Sequence, residues 1–411
     1  MLAGSFVGIV GICQFMGYDF LGLREGLMQS IRNVYISTLG NIDIFASFLC
    51  VLVPVAAGAY ISSEGKESIV IRITAVIAVL TGTGAVIISN ANLAYAGVGG
   101  AIWASYRGKI KEFADVCLVM ACGVLAISII LGQTDSGYSE LDGLSYFVSD
   151  SRMVWIVSVV VLVVWAAIRL ASKWTVKFRG KAALAVSVGV SLAGIVAVVI
   201  YAAHNHMGIF SFEDSWGNYR GFVWRRLMEA YSDFSVPQRL FGYGNESVKA
   251  IMTDRYYDDM MNTVGVIYDN AHNEYLQYLI TTGIFGAVSY VGLLVTTGGV
   301  LVRTAVSGAV MNENESMSSQ SAGKRSKEKA ASRDSRTVRG SKTGTGLECL
   351  LGYAEDEGSM IAVLLGITGY AVQAFVNLNQ SLTTPYIFLL IAMAGGLCRR
   401  YICQFADGGR K

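Results

Sequence analysis

The sequence predicts an all-α, polytopic integral membrane protein with about ten transmembrane helices and one large ordered extracytoplasmic loop. Of the 411 residues, 53% are hydrophobic and 15% are charged, whereas soluble domains carry about 25% charged residues. The apolar residues fall in runs close to the roughly 17–25 residues that a membrane-spanning helix needs. This composition excludes a soluble enzyme and a disulfide-rich secreted domain, and the net charge of +2 gives no reason to expect a nucleic-acid partner.

Ten apolar runs are predicted to cross the membrane, which makes residues 1–411 a single polytopic membrane domain. Their approximate bounds are 2–18, 44–61, 69–89, 92–106, 113–132, 153–171, 183–203, 284–302, 359–376 and 384–398. The first and the fourth runs are short and rich in glycine. Short alternating strands, which a transmembrane barrel would require, are not the pattern of this chain.

The positive charges predict the orientation of these helices. With the amino terminus placed in the cytoplasm, 23 of the 32 Lys and Arg residues fall in cytoplasmic segments and 9 fall outside. Basic loops stay on the cytoplasmic side of a membrane. We therefore expect a multi-pass protein of the inner (cytoplasmic) membrane, in contact with membrane lipids, with both termini in the cytoplasm.

The cytoplasmic segment 303–358 is predicted to be a disordered linker. Its middle is rich in Ser, Gly and charges of both signs and has few apolar residues, so it cannot bury a core of its own. Binding of anionic lipid headgroups through the basic stretch 324–329 is the alternative. Acidic residues interspersed with the basic ones favour the linker.

The extracytoplasmic segment 204–271 is predicted to be ordered, because it is rich in aromatic residues that disordered loops lack. Arg220, Trp224 and Leu227 recur at helical spacing on one face, which predicts a helix from Tyr219 to Tyr231 that Pro237 ends.

A turn and a second helix are predicted to follow in the same segment. Gly242 and Gly244 lie in a turn-rich stretch, where glycine lets the backbone approach a ligand closely. Asp269 and Asn270 are good N-cap residues for a helix that runs through His272 towards Gly283 and the next span. The two helices would expose Arg220, Arg225, Arg226 and His272 at the outer surface of the membrane.

The residues around His272 form a recognisable pattern. His272-Asn273, nine residues, Gly283, two residues and Gly286 read H-N-x9-G-x-x-G, just before a predicted span. Three further stretches accompany it: Thr38 to Asp43 (T-L-G-N-I-D), Arg220-x-x-x-Trp224 followed by Leu240 to Gly244 (L-F-G-Y-G), and Asn377, Ser381 and Thr384-Pro385 before the last span. With these motifs the chain resembles the O-antigen ligase and O-antigen polymerase superfamily of bacterial membrane glycosyltransferases. Ile42 and Asp43 depart from the proline and asparagine usual in that family.

The resemblance implies transfer of a glycan from a polyprenyl diphosphate carrier to an acceptor hydroxyl at the outer face of the cytoplasmic membrane, in surface polysaccharide assembly. Arg220 is the candidate for holding the diphosphate, because a guanidinium binds phosphate oxygens bidentately and stays charged. His272 is the candidate general base on the acceptor hydroxyl, since imidazole titrates near neutral pH. No metal ion and no cofactor are expected.

Further substrate-binding candidates surround these two residues. They are Arg32, Asn41, Asn273, Gly242, Gly244, Arg225 and Arg226. Each has a structural alternative: Asn41 suits a turn or cap, and Arg225 and Arg226 suit the protein surface. His272 could anchor an interfacial helix, and Arg220 could reach lipid phosphate. His204 and His206 could chelate a metal as H-x-H, although an interfacial role is favoured.

Two questions stay open at the level of the sequence. The acceptor could be another carrier-linked repeat unit, a lipid A core or a protein hydroxyl, with a polymerase or a polysaccharide ligase favoured. The rival class is a membrane transporter or a lipid-linked glycan flippase, which would need a polar path through its helices. Asp115 is the clearest acidic residue inside a predicted span, and it lies near the cytoplasmic end. Ion pumps usually keep such groups at mid-membrane, so the transporter is disfavoured.

Overall fold

The computed structural model describes residues 1–28, 36–63, 69–89, 109–133, 151–171, 213–330, 345–375 and 383–408, and over these residues the protein is helical without strands. The helices are α1 (Leu2–Phe15), α2 (Ile42–Ser62), α3 (Ile69–Ile88), α4 (Ile110–Gln133), α5 (Ser151–Ala171), α6 (Trp216–Ser232), α7 (Val236–Phe241), α8 (Ser247–Thr263), α9 (Glu274–Ala330), α10 (Thr345–Gln373) and α11 (Thr384–Gly408). A 3-10 turn, Ser37–Leu39, precedes α2.

Eight of the predicted spans coincide with helices of the described chain. By length and composition, four helical stretches can cross a membrane: Ile42–Ser62, Ile69–Ile88, Ile110–Gly132 and Glu274–Thr304. Shorter apolar helices occupy Leu2–Phe15, Val154–Leu170, Ser359–Gln373 and Thr384–Arg399. The predicted spans 92–106 and 183–203 lie outside the described residues, so the total of ten stays a prediction.

Helix α2 is the centre of the bundle. It packs along α3 on one side and along α10 on the other, while α4 joins α3 to α5 and α11 covers α10. The α2–α10 contact depends on small residues, because a Cβ at Gly58 would stand 2.5 Å from the Cα of Ala362 and one at Gly369 would overlap the Cys50 carbonyl. Close backbone approach of this kind is typical of helix packing inside a membrane. Lipid tails are as apolar as the helices, so the hydrophobic effect does not drive helices together and close packing at small residues does.

The acidic residue predicted inside a span is engaged by its neighbours. Asp115 of α4 accepts hydrogen bonds from the Tyr60 hydroxyl (3.0 Å) and the Trp165 indole (2.8 Å), and it forms an ion pair with Arg169. These contacts connect α4 to α2 and α5. Asp115 therefore has a structural role in the bundle, which fits its position at the end of a span.

Residues 213–271 fold into three helices, α6 to α8, around a hydrophobic core that they share with the start of α9. Helix α6 covers the predicted helix from Tyr219 to Tyr231, and that prediction is confirmed. The buried members of this core are Phe222, Val223, Trp224, Leu227, Ala230, Phe234, Val248, Ile251, Met252, Met260, Ala271, Leu276 and Ile280. The side of the membrane on which this segment lies stays a prediction.

The local details of the segment differ from the sequence prediction at three points. Helix α6 ends at Ser232, and Pro237 lies in the first turn of α7, where a missing N–H costs nothing. Helix α8 was not predicted, because its apolar residues alternate with charged and tyrosine residues without a strong period. Helix α9 begins at Glu274, later than the predicted start at Asp269 and Asn270.

The predicted disordered linker 303–358 is helical where the structure describes it. Helix α9 continues through its first part to Ala330, and α10 begins at Thr345; residues 331–344 lie outside the described residues. Ala, Glu and Lys supply eight of the 20 residues in 311–330 and proline is absent, a composition that is compatible with a helix. The cytoplasmic position of the segment stays a prediction.

Candidate functional site

The start of α2 forms the first side of the site. Asn41 has the extended backbone of an N-cap residue, and its Oδ1 accepts hydrogen bonds from the N–H groups of Asp43 (2.7 Å) and Ile44 (3.3 Å). The structural role predicted for Asn41 is therefore present, and its carbonyl oxygen is engaged in capping. Gly40 before it has a φ of 71°, which glycine adopts without strain. This turn places the Asp43 carboxylate in the first turn of α2.

Helix α6 forms the second side, through two residues one turn apart. A terminal nitrogen of Arg220 lies 3.2 Å from Oδ1 of Asp43 in an ion pair whose side chains are 21% and 31% exposed. Trp224 is buried, and its indole N–H donates to the carbonyl oxygen of Ala271 at 2.6 Å. Residues at i and i+4 lie on the same helical face. The R-x-x-x-W motif therefore directs a guanidinium to Asp43 and fixes the backbone just before His272.

His272 lies in the turn that leads into α9. Its φ of 46° is unusual for a residue with a side chain, and its N–H donates to Oδ1 of Asn270 at 3.1 Å. The imidazole ring lies 5.2 Å from the ring of Tyr268. Its Nδ1 is buried and has no hydrogen-bond partner among the described residues. Strained residues with unsatisfied polar atoms are typical of functional sites.

The charge state of His272 depends on the groups around it. Burial, and after it the nearby Arg220 guanidinium, lower the pKa of the imidazole below its ordinary value of 6.5, while the Asp43 carboxylate opposes them. Burial raises the pKa of the neighbouring Tyr268 hydroxyl. At neutral pH His272 is therefore uncharged, which is the form that accepts a proton.

The first turn of α9 is fixed by contacts with the end of α10. Asn273 caps α9 by accepting the Leu276 N–H at 2.9 Å, so the side chain predicted to bind substrate is engaged in the fold. The Glu274 N–H donates to the Ala374 carbonyl at 2.8 Å, and the Tyr370 hydroxyl donates to the Glu274 carboxylate at 2.8 Å. These contacts hold the backbone on the carboxyl side of His272.

The backbone of the L-F-G-Y-G stretch, Leu240 to Gly244, contacts the backbone of α9 next to Gly283. Gly283 interrupts α9 with a φ of 69°, and a Cβ there would overlap the backbone of Leu240. A Cβ at Gly242 would overlap the Thr281 carbonyl. The N–H of Gly244 donates to that carbonyl at 3.1 Å, which supplies a partner at the interrupted helix end.

This arrangement gives Gly242 a structural role, while contact of Gly242 and Gly244 with a ligand stays a prediction. They were predicted to bring the backbone close to a ligand, whereas in the structure Gly242 closes on α9 itself. Glycine is needed there because of its positive φ of 86° and the close backbone contact.

The remaining predicted substrate-binding arginines are placed differently from Arg220. Arg225 forms an ion pair with Asp214. Arg226 pairs with Glu229 and with Asp259 of α8 (2.8 and 2.7 Å) and so connects α6 to α8. The alternative of a structural role fits both residues. Arg32, His204, His206, Asn377 and Ser381 lie outside the described residues.

Sequence reasoning missed Asp43 as a member of the site. It was noted only as a departure from the asparagine usual in that family, and its partner Arg220 is 177 residues away. A carboxylate at the very start of an apolar span was the available signal, because ionisable residues in and beside such spans are candidate functional residues.

The long apolar helices indicate an integral membrane protein. Arg220 of α6 and His272 of the turn before α9 form a polar site beside them. The family model described as O-antigen ligase matches residues 141–291. The predicted resemblance to the O-antigen ligase and polymerase superfamily is confirmed over these residues, which include Arg220 and His272. The match supports a ligase- or polymerase-like function in surface polysaccharide assembly. No curated protein matches the chain.

Proposed function

We propose that this protein is a membrane glycosyltransferase that moves an oligosaccharide from a polyprenyl diphosphate carrier to an acceptor hydroxyl at the outer face of the cytoplasmic membrane. The observation that carries the proposal is the convergence of Arg220 from α6 and His272 from the turn before α9. Burial, and after it the charge of the nearby Arg220 guanidinium, lower the pKa of the imidazole. A fixed cation beside a neutral base suits the transfer of a group away from a diphosphate.

The two residues divide the chemistry. The acceptor oxygen attacks the anomeric carbon while its proton passes to the neutral imidazole of His272. The bond from the anomeric carbon to the diphosphate oxygen breaks, and the electron pair leaves with the diphosphate. Arg220 stabilises the negative charge that develops there. A single displacement of this kind inverts the anomeric carbon.

The proposal specifies the donor more narrowly than the acceptor. A donor with a polyprenyl chain cannot leave the bilayer, so its diphosphate stays at the level of the helix ends, where Arg220 lies. Another carrier-linked repeat unit or a lipid-borne glycan is the proposed acceptor. Metal independence is part of the proposal, because a guanidinium neutralises a diphosphate without a divalent ion.

The direct test incubates the purified full-length protein in detergent with a carrier-linked glycan and a carrier-linked or lipid-borne acceptor. We expect release of polyprenyl diphosphate together with a lengthened or transferred glycan, with and without EDTA. Absence of both products, with donor binding intact, would contradict glycosyl transfer. A strict need for magnesium or manganese would contradict the arginine-based mechanism alone.

A further inference from the structure

The Asp43 carboxylate is paired with the guanidinium of Arg220, which is the group that binds the donor diphosphate in the proposed function. The ion pair joins the first turn of α2 to α6 at 3.2 Å, and both side chains are partly exposed. Carboxylate and phosphate oxygens bind the same fork of N–H groups on an arginine. A diphosphate that reaches Arg220 must therefore share it with Asp43 or displace that carboxylate.

The backbone that carries this carboxylate is fixed by hydrogen bonds. Asn41 accepts the N–H of Asp43, and the side chain of Ser47 one turn later donates to the Asp43 carbonyl oxygen at 2.8 Å. The Gln373 amide donates to the Ser47 hydroxyl at 2.7 Å. The start of α2 is thus fixed to the end of α10, the helix that also holds the backbone after His272.

The Asp43 carboxylate also acts on His272, because its negative charge favours the protonated imidazole. Among the described residues, the charged and titratable groups around the imidazole are Arg220 from α6, Asp43 from α2, and Tyr268 and Asp269 from the preceding turn. Arg220 and Asp43 act on the imidazole with opposite signs. Removal of the Asp43 charge would leave Asp269 as the one remaining carboxylate of this set that opposes the cation.

We propose that Asp43 is a positioning residue that holds Arg220 beside His272 in the donor-free protein and competes with the diphosphate for it. The inference rests on the proposed function. Asp43 touches neither the reacting carbon nor the acceptor; it acts through the guanidinium. By taking Arg220 back after transfer, it favours departure of the polyprenyl diphosphate product.

The variant that tests this is Asp43→Asn, which keeps the size and one acceptor oxygen of the side chain but removes its charge. We expect Asp43→Asn to bind a polyprenyl diphosphate without glycan about two- to fivefold more tightly, the size of one partly exposed ion pair. KM for the donor should fall without a rise in kcat. The acidic limb of the pH–rate profile should move to lower pH, because the charge that favours imidazolium is gone.

Two further variants separate this inference from general charge effects. Asp233→Asn breaks a comparable aspartate–arginine pair, with Arg255 at 3.4 Å, elsewhere in the segment, and should leave donor binding unchanged. In an Arg220→Ala background, Asp43→Asn should no longer tighten binding. Equal tightening in either case would overturn the inference.

The remaining outcomes are distinguishable. A wild-type protein that binds the diphosphate, with Asp43→Asn unchanged or weaker, overturns the role of Asp43 and leaves the proposed function intact. A wild-type protein that binds no polyprenyl diphosphate overturns both. Thermal unfolding in detergent verifies that each variant is folded, and Asp43→Ser replaces Asp43→Asn if the latter does not accumulate.

Discussion

At the scale of single residues, replacement of His272 and replacement of Arg220 are expected to impair different steps, turnover in the first case and donor binding in the second. His272 is positioned by its own backbone turn and by its neighbours on both sides, so His272→Ala removes the base without removing the surrounding contacts. We expect turnover to fall about 10²–10⁴-fold, the range for one general base, while the affinity for polyprenyl diphosphate stays unchanged. Donor binding and rate are measured on the same preparation.

The pH dependence of the rate identifies the base independently. In the proposed mechanism the neutral imidazole is the active form, and burial together with Arg220 holds its pKa below 6.5. The wild-type rate should therefore stay level above that value and fall as the pH drops through the lowered pKa. His272→Ala should lose this acidic limb. A variant that retains the limb, or loses rate only in proportion to donor affinity, would remove His272 from proton transfer.

Arg220 is expected to act mainly on the donor. Arg220→Lys keeps a cation but loses the planar fork that binds a diphosphate bidentately, so both donor affinity and turnover should fall, and Arg220→Ala should lower them further. The same lysine exchange at Arg255, which pairs with Asp233 at 3.4 Å, serves as the control and should leave both unchanged. Normal donor binding by Arg220→Ala would refute the assignment.

At the same scale, the sequence indicated candidate site residues but did not indicate which side chains pair with them. The motif spacing brought forward Arg220 and His272, and the structure places them within reach of a common set of charges. Asp43 could not be assigned, because its contact with Arg220 joins two distant parts of the chain. Arg225 and Arg226 are neighbours that look alike in sequence, yet each has a different acidic partner in the fold.

At the scale of helices, the interruption of α9 is expected to depend on one glycine. Gly283→Ala would place a side chain at a φ of 69° and against the Leu240 backbone. We expect a loss of about 2–4 kcal/mol of stability from the backbone strain and the overlap together, measured by unfolding in detergent.

Gly292 provides a matched control for Gly283 in the same helix. A Cβ there has nothing within 4 Å, and alanine is the better helix former by about 0.5–1 kcal/mol. Gly292→Ala should therefore be neutral or slightly stabilising. Equal effects of the two exchanges would mean that the turn at Gly283 is not a structural requirement.

A helix could be predicted from the sequence where its segment carried one clear pattern of apolar residues. Long apolar runs predicted α2, α3 and α4, and a stripe at i, i+4 and i+7 predicted α6. Helix α8 was missed, since its buried residues, Val248, Ile251, Met252 and Met260, alternate with charged and tyrosine residues without a strong period. The start of α9 was placed too early, because Asp269 and Asn270 are as good caps by sequence as Asn273, and the contact with α10 decides between them.

At the scale of the whole molecule, the site depends on helices that are far apart in sequence. The end of α10 contacts the start of α2 through Gln373 and Ser47, and the start of α9 through Tyr370 and Glu274. Phe375, just beyond α10, packs edge-to-face on Trp224 of α6 with ring centroids 5.5 Å apart. The residues that carry the charges and the residues that hold them in place therefore belong to one packed unit.

The orientation of this unit is the prediction on which the donor's access depends. Because 23 of the 32 basic residues fall on the predicted cytoplasmic side, we expect a cysteine introduced at Asn218, next to Arg220, to react with a membrane-impermeant thiol reagent in intact cells. A cysteine at Ser335 should react only after the cells are opened. The seven natural cysteines lie outside 204–271, so the parent protein is the background control. The reverse labelling would place Arg220 and His272 in the cytoplasm, where an outer-leaflet donor cannot reach them, and would refute the proposed reaction.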